Sequence, residues 1–103
     1  MADLSVTHDP DRHRFEAHLD GRLAGFADYQ LTDELYVFTH TEVDRSFEGN
    51  GVGGSLARAA LDHVREEGSR TVLAVCPFIQ GWIHRHQDYA DLLYRARRST
   101  VTD

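Results

Sequence analysis

Lysine is absent from this chain, since all 11 of its basic residues are arginine. The absence excludes a Walker-type nucleotide loop, whose lysine holds phosphates, and pyridoxal enzymes, which need a lysine for their Schiff base. Cysteine is nearly absent as well, because Cys76 is the only one. A single cysteine forms no internal disulfide, so we expect a cytoplasmic location, where thiols stay reduced.

Positive charge is also scarce, because the net charge is −6 and the only basic cluster lies at Arg95, Arg97 and Arg98. Nucleic acid is therefore not an expected partner. No apolar run approaches the length of a membrane span and no signal peptide is recognisable, so we expect no membrane association. A composition that is 41% hydrophobic and 27% charged, over 103 residues, predicts one globular domain spanning residues 1–103.

The first part of the chain carries strand patterns. Residues 14–19 alternate between polar and apolar side chains, which predicts a half-buried strand. The pair Asp20-Gly21 predicts a type I′ hairpin turn, followed by a returning strand in RLAGFADYQL. After a turn at Asp33-Glu34, LYVFTHTEV predicts a third strand, and a short strand at residues 5–8 precedes them all.

The second part carries helix patterns around one further strand. From Ser55 to Gly68, apolar residues recur at helical spacing. Residues 71–75 form a continuous apolar run, typical of a strand buried on both faces. A short helix is predicted from Phe78, and residues 95–103 are expected to fray. The order predicts an α/β (α+β) fold: an antiparallel meander, then a strand–glycine loop–helix–strand crossover and a short C-terminal helix.

The loop EGNGVGGS, residues 48–55, contains four of the eight glycines. It matches G-x-G-x-x-G, but a dinucleotide site also needs an acidic residue about 20 positions further on, and none lies between Ser69 and Ile79. A glycine loop that enters a helix directs backbone N–H groups at an anion. The loop therefore predicts a phosphate or pyrophosphate site; the alternative is a tight strand-to-helix turn, for which one glycine would suffice.

The segment HTEVDRSFEGNGVGGSLARAALDHVREEG resembles the acetyl-coenzyme A-binding motif of the GNAT superfamily of acetyltransferases. That motif reads Q/R-x-x-G-x-G/A between a strand and a helix, and here it is EGNGVG, residues 48–53. The chain is also similar to a small single-domain GNAT-like subfamily, whose members have H-T-E-V at the end of a strand and a later C-P-F-I segment. These are residues 40–43 and 76–79, and the similarity extends over essentially the whole folded body.

The resemblance implies a minimal GNAT fold and an N-acetyltransferase that uses acetyl-coenzyme A as co-substrate, without a metal. The loop amides would hold the pyrophosphate, and a backbone N–H near Glu42 or Val43 would polarise the thioester carbonyl. Glu48 departs from the usual Gln or Arg of the motif, and Gln87 replaces a proline of the subfamily. The implied cofactor-binding residues are Thr41, Val43, Glu48, Gly49, Asn50, Gly51, Val52, Gly53, Gly54, Ser55, Phe78 and Trp82.

Three residues are candidates for the chemistry of transfer. His40 and Glu42 lie two apart on a strand and share a face, so either could accept a proton from an amine. The alternatives are a half-buried, hydrogen-bonded histidine and a solvent-facing glutamate. Cys76 precedes a predicted helix N-terminus, which favours a nucleophilic thiolate; the alternative is a small buried hydrophobe.

Two further questions stay open at this stage. No metal is expected, because His84 and His86 diverge on a helix and no other metal-ligand spacing occurs. The acceptor amine, a small molecule or a protein, cannot be identified from the sequence, and we expect a monomer or weak homodimer. The competing hypothesis is a coenzyme A-binding or interaction module with little turnover, because few residues separate the first two strands and the acceptor side must be open or completed by a partner.

Overall fold

A computed structural model describes residues 3–94 of the protein. The predicted frayed segment 95–103, with its three arginines, lies outside the described residues. The strands are β1 (Leu4–Asp9), β2 (Arg14–Leu19), β3 (Arg22–Leu31), β4 (Leu35–Val43) and β5 (Thr71–Ala74). The α-helices are α1 (Val52–Glu67) and α2 (Pro77–Arg85), and two 3-10 helices span Arg45–Phe47 and Gln87–Leu92.

The five strands form one sheet in the order β1-β2-β3-β4-β5. The first three pairs are antiparallel and the last is parallel, which confirms the predicted meander and crossover. Asp20 and Gly21 have φ angles of 52° and 81°. Two successive positive φ values define the type I′ turn that the Asp-Gly pair predicted.

Helix α1 packs on one face of the sheet and contacts β1 to β4. Its buried side chains follow the predicted face and lie among Phe15, Ala17 and Phe38 of the sheet. The buried residues of α1 are Val52, Leu56, Ala57, Ala60, Leu61 and Val64. The helix begins three residues earlier than the pattern indicated, at Val52, because helical backbone continues through Gly53 and Gly54. In residues 3–94, no helix is both long and apolar enough to cross a membrane.

Strand β5 corrects one prediction, since it is not buried on both faces. Leu73 and Val75 are 38% and 54% exposed, whereas Val72 and Cys76 are buried on the α1 side. The apolar run 71–75 indicated a strand covered by two layers. Over residues 3–94, however, the buried side chains of both α-helices belong to a single core cluster, and Leu73 borders an open cavity, lined also by Gln80, Ile83 and His84 of α2, in place of a closed second layer.

Candidate active site

The site begins where β4 and β5 separate. Their parallel pairing runs only from Leu35 beside Thr71 to Phe38 beside Ala74. The Phe38 carbonyl then accepts two N–H groups, from Val75 at 3.0 Å and from Cys76 at 2.9 Å. Beyond this point β4 continues for five residues, paired with β3 alone. The second half of β4 therefore has one unpaired edge.

The direction of the backbone groups along this edge follows from strand geometry. Asp44 donates its N–H to Ala24 of β3 at 2.8 Å. Alternate residues of a strand direct their N–H groups to opposite edges. The N–H groups of Val43 and Thr41 therefore face the open edge, whereas that of Glu42 faces β3. Of the two residues predicted to supply the oxyanion donor, only Val43 has its N–H on the open edge, and the role itself stays a prediction.

The glycine loop leaves the N-terminus of α1 without a side-chain cap. Gly51 is the N-cap residue, with a φ angle of 75°, and the first intrahelical bond is from Ser55 N–H to its carbonyl at 3.0 Å. Gly49 also has a positive φ, 89°. A Cβ at either glycine would meet no atom within 4 Å, so both border open space. The amides at the start of this 16-residue helix thus have no side-chain cap, and the anion site predicted for them stays a prediction.

The other two loop glycines pack against α2, Gly53 closely and Gly54 at ordinary contact distance. A Cβ at Gly53 would lie 2.7 Å from Cζ of Phe78, and one at Gly54 would lie 3.6 Å from Nε1 of Trp82. Phe78 is 36% exposed beside the start of α1, whereas Trp82 is 4% exposed and stacks on the His86 ring at 3.9 Å. Phe78 is therefore partly exposed beside the start of α1, whereas Trp82 is a core residue.

The loop and the open edge adjoin each other through Gly25 of β3. A Cβ at this position would lie 2.6 Å from the Glu42 carbonyl oxygen and 3.2 Å from both Val43 Cα and Val52 Cγ1. Only a residue without a side chain allows the start of α1 to come this close to the end of β4. The predicted phosphate cradle and the predicted thioester strand are thus contiguous.

Cys76 lies at the point of separation, as its place in the sequence predicted. It is the N-cap residue of α2, with Pro77 following, and it is 3% exposed. Its thiol donates to the hydroxyl oxygen of Thr41 at 3.4 Å. The cysteine is therefore a small buried side chain, as the alternative stated, and it adjoins the open edge, while its role as a nucleophile stays a prediction.

His40 and Glu42 lie on the other face of β4, away from α1. Their side chains are 58% and 56% exposed, with Nε2 and Oε1 3.9 Å apart. The alternative of a half-buried histidine is wrong for His40, and Glu42 is solvent-facing as its alternative stated. The two candidate bases thus border the open edge from the side opposite Cys76.

A feature that the motifs did not predict is a small cavity beside Glu42 on the open face of the sheet, bordered also by Asp44. Asp44 caps the first 3-10 helix, where its Oδ1 accepts bonds from the N–H and the hydroxyl of Ser46 at 2.8 and 2.6 Å. These bonds, the hydroxyl first, lower the pKa of the Asp44 carboxyl below its usual range. The Asp-x-Ser sequence is a signal that could have identified this capping turn.

Comparison with known proteins agrees with these features. A family model described as GCN5-related N-acetyltransferase matches residues 14–92. Protein NATD1 of Mus musculus is 34% identical over 83 residues, covering 78% of this chain and 74% of NATD1. The solution structure of a GCN5-like protein from Staphylococcus aureus superposes with a TM-score of 0.69 and 21% identity, covering 100% of each chain.

A second solved structure has the same fold. The ribosomal-protein-S18-alanine N-acetyltransferase of Escherichia coli matches with a TM-score of 0.58 and 18% identity, over 72% of this chain and 66% of that one. At these identities the solved structures support the fold alone, and the evidence for family membership is the match to the family model and to NATD1. The chain therefore belongs to the GCN5-related N-acetyltransferase family, in which the HTEV and CPFI motifs had suggested its place.

Proposed function

We propose that this chain binds acetyl-coenzyme A and transfers the acetyl group to an amine. The observation that carries the proposal is the contiguity of the uncapped N-terminus of α1 with the open edge of β4. A helix N-terminus favours a pyrophosphate, and an unpaired strand edge offers alternating donors and acceptors to an extended, amide-containing arm. Acetyl-coenzyme A has both parts in one molecule.

The chain's residues would divide the binding as follows. The amides from Gly49 to Gly54, with the hydroxyl of Ser55, would receive the pyrophosphate, and Phe78 would flank it. The edge groups of Thr41 and Val43 would pair with the pantetheine arm. One of their N–H groups would stabilise the negative charge that develops on the thioester carbonyl oxygen during transfer.

The transfer itself needs an unprotonated amine, because an ammonium has no lone pair. In the balanced reaction, the amine nitrogen forms a bond to the carbonyl carbon, the carbon–sulfur bond breaks, and coenzyme A leaves as a thiol. One proton is released for each ammonium consumed. His40 is the group that we assign to accept it, because the ring is exposed beside the open edge and histidine titrates near neutral pH.

A second route is favoured by the position of Cys76, whose thiol lies beside Thr41 at the open edge. In that route the cysteine sulfur would attack the thioester, coenzyme A thiol would leave, and the amine would then displace the cysteine from the acetyl group. The alternative of a binding module with little turnover is supported by the exposed face around His40 and Glu42, whose side chains are 58% and 56% exposed.

Binding is tested by the melting temperature of the protein with and without acetyl-coenzyme A. At about 100 times the dissociation constant the ligand stabilises by about 2.7 kcal/mol, which raises the melting temperature by roughly 10 °C. Coenzyme A should give a similar shift, and pantetheine, which has no pyrophosphate, a much smaller one. Equal shifts for coenzyme A and pantetheine, or none with either, would refute the assignment of the loop.

Turnover is tested by release of coenzyme A thiol in the presence of a panel of amines. Comparison of the wild type with His40→Gln and Cys76→Ala separates the routes. A rate that depends on His40 alone supports direct transfer, and one that requires Cys76 supports the acyl-cysteine route. Identical background rates for all three proteins would favour the binding module.

A further inference from the structure

Trp82 brings one polar atom to the start of α1. The residue is 4% exposed, and its Nε1 lies 3.6 Å from the position that a Cβ on Gly54 would occupy, in the first turn of the helix. Within residues 3–94 this N–H has no hydrogen-bond partner, whereas every side-chain nitrogen or oxygen that is fully cut off from solvent does have one. The indole N–H is therefore a free donor that reaches the surface beside the uncapped amides of α1.

Neighbouring rings hold the indole in this position. His86 stacks on it with 3.9 Å between the ring centroids, and Nδ1 of the same histidine lies 2.8 Å from the Trp82 carbonyl oxygen. Tyr89 packs edge-on against it at 5.1 Å between centroids. A donor on a ring that is already fixed loses little conformational freedom on binding, so this N–H is suited to recognise a ligand.

Arg58 adds a positive charge on the same side of α1. It lies one turn after Gly54, about 6 Å along the helix, and long helical side chains lean towards the N-terminus. Its guanidinium carbon lies 5.4 Å from the centroid of the Trp82 ring. Its one hydrogen bond within residues 3–94 is to the Tyr89 hydroxyl at 3.3 Å, which in turn donates to Asp62. Because a guanidinium has five N–H donors, most of them stay available to an anion.

Arg85 brings a second positive charge from α2. It lies seven residues after Phe78 and three after Trp82, so helical spacing places the three on one side of α2, the side that packs on the start of α1. Its Nη1 lies 3.3 Å from the position that a Cβ on Gly81 would occupy. The side chain therefore folds back along α2 towards Phe78 and the first turn of α1.

Neither Arg58 nor Arg85 forms an ion pair with a carboxylate in the described part of the chain. Four other arginines do, at positions 12, 14, 65 and 70. Two guanidiniums without a carboxylate thus lie beside one free indole donor, in a protein whose net charge is −6. Such donors next to a helix N-terminus suit a phosphate group.

The proposed donor molecule carries a phosphate that the glycine loop does not account for. Coenzyme A has a phosphate monoester on the 3′ oxygen of its ribose, one sugar ring away from the pyrophosphate. The end of β4 borders the start of α1 on one side, through Gly25, and α2 borders it on the other, through Gly53 and Gly54. With the pantetheine arm on β4, the adenosine end would leave the loop on the side of α2.

We propose that Trp82, Arg58 and Arg85 bind the 3′-phosphate of coenzyme A and so select this donor over ones that lack the group. The indole N–H and the two guanidiniums would donate to the phosphate oxygens. The inference rests on the proposed use of acetyl-coenzyme A, and it adds the residues that recognise the adenosine end of that molecule.

The test compares the dissociation constants of coenzyme A and of dephospho-coenzyme A, which lacks only the 3′-phosphate, by isothermal titration. The wild type should bind coenzyme A about tenfold more tightly. Arg58→Gln and Arg85→Gln should each reduce this advantage by about threefold, with the affinity for dephospho-coenzyme A unchanged. Arg12→Gln removes the same charge from the exposed turn between β1 and β2 and should leave the advantage intact.

The indole N–H gives an independent measurement. Trp82 is the only tryptophan, so this group contributes a single side-chain signal to a proton–nitrogen correlation spectrum. Coenzyme A should shift the signal much further than dephospho-coenzyme A does, because only coenzyme A brings the acceptor oxygens of the 3′-phosphate.

Equal affinities for the two ligands, or equal shifts of the indole signal, would overturn the subsite and leave the proposed coenzyme A binding in place. An advantage that persists undiminished in both arginine variants would overturn it as well. Binding of neither ligand would refute the proposed function and the subsite together.

Discussion

The thiol of Cys76 lies 3.4 Å from the hydroxyl oxygen of Thr41, although 35 residues separate them along the chain. The contact joins the residue that follows β5 to the part of β4 that has no partner in β5. Thr41 and Cys76 lie two or three residues beyond Phe38 and Ala74, where the two strands stop pairing. It places the only cysteine of the protein beside the backbone edge that we assign to the thioester. The role of the Cys76 thiol can therefore be tested by replacing either Cys76 or Thr41.

For Cys76→Ala we expect direct transfer to persist, with a rate within about threefold of the wild type. Stability should fall by about 1 kcal/mol, because a small buried side chain is shortened. Thr41→Val removes the hydroxyl but keeps the backbone N–H on the open edge, so its rate and stability should resemble those of Cys76→Ala. Intact mass after exposure to acetyl-coenzyme A gives the check: an acetyl adduct on Cys76, with loss of turnover in Cys76→Ala, would establish the covalent route instead.

Gly51→Ala should separate the loop's ligand role from its backbone strain. A φ of 75° is unfavourable for alanine, so we expect a loss of about 1–2 kcal/mol in stability. Coenzyme A affinity should also fall, by roughly tenfold or more, since alanine disfavours the backbone conformation in which the loop presents its amides.

Gly21→Ala is the matched control, because Gly21 has a φ of 81° and equally open surroundings in the β2–β3 turn. It should lose similar stability in chemical denaturation, while isothermal titration shows unchanged affinity for coenzyme A. Equal loss of affinity in both variants would indicate a general effect of destabilisation.

His40→Gln should lower kcat by about 10²–10⁴-fold if the ring is the proton acceptor. The side chain is 58% exposed, so its replacement should alter stability by less than about 0.5 kcal/mol. His18→Gln is the comparison, since His18 lies on the same face of the sheet in β2. Initial rates at saturating acetyl-coenzyme A measure both, and a fully active His40→Gln would reassign the proton to Glu42 or water.

His8 should make the protein less stable in mild acid. Its Nε2 lies 2.5 Å from the Tyr29 hydroxyl, its ring stacks on Phe15 at 4.3 Å, and the His63 ring is 4.4 Å away. Burial first, and then His63, lowers the pKa of His8 below the ordinary histidine value of 6.5, although Asp9 and Glu67 oppose the shift.

The sign follows because the unfolded chain binds the proton more readily than the folded one. The stability from neutral His8 is complete above about pH 6.5 and is lost as the pH falls through the lowered value. Melting temperatures between neutral and mildly acidic pH should therefore decline less steeply in His8→Gln than in the wild type. His84→Gln, which removes an exposed histidine, should leave the slope unchanged.

Local patterns in the sequence were sufficient to predict the strands, the helices and the position of the glycine loop. The alternation in β2, the Asp20-Gly21 turn and the apolar face of α1 depend on neighbours within a few residues, so they can be interpreted without a fold. The motifs EGNGVG and CPFI were likewise contiguous, and they indicated the family that the comparisons show.

Only the tertiary structure decided which strands and helices contact one another and which of their faces are exposed. The exposure of β5 depends on how many layers cover the sheet, and an apolar run is the same in either case. The Thr41–Cys76 contact and the contiguity of Gly25, Val43 and Val52 join segments far apart in the chain. The acidic cavity lies beside Ala24, which has no partner in β2, and no local pattern records which strand pair will skip a residue. The sequence by itself determined the donor loop, because backbone chemistry there is local; the acceptor face required the packed sheet, because its surfaces are assembled from three strands.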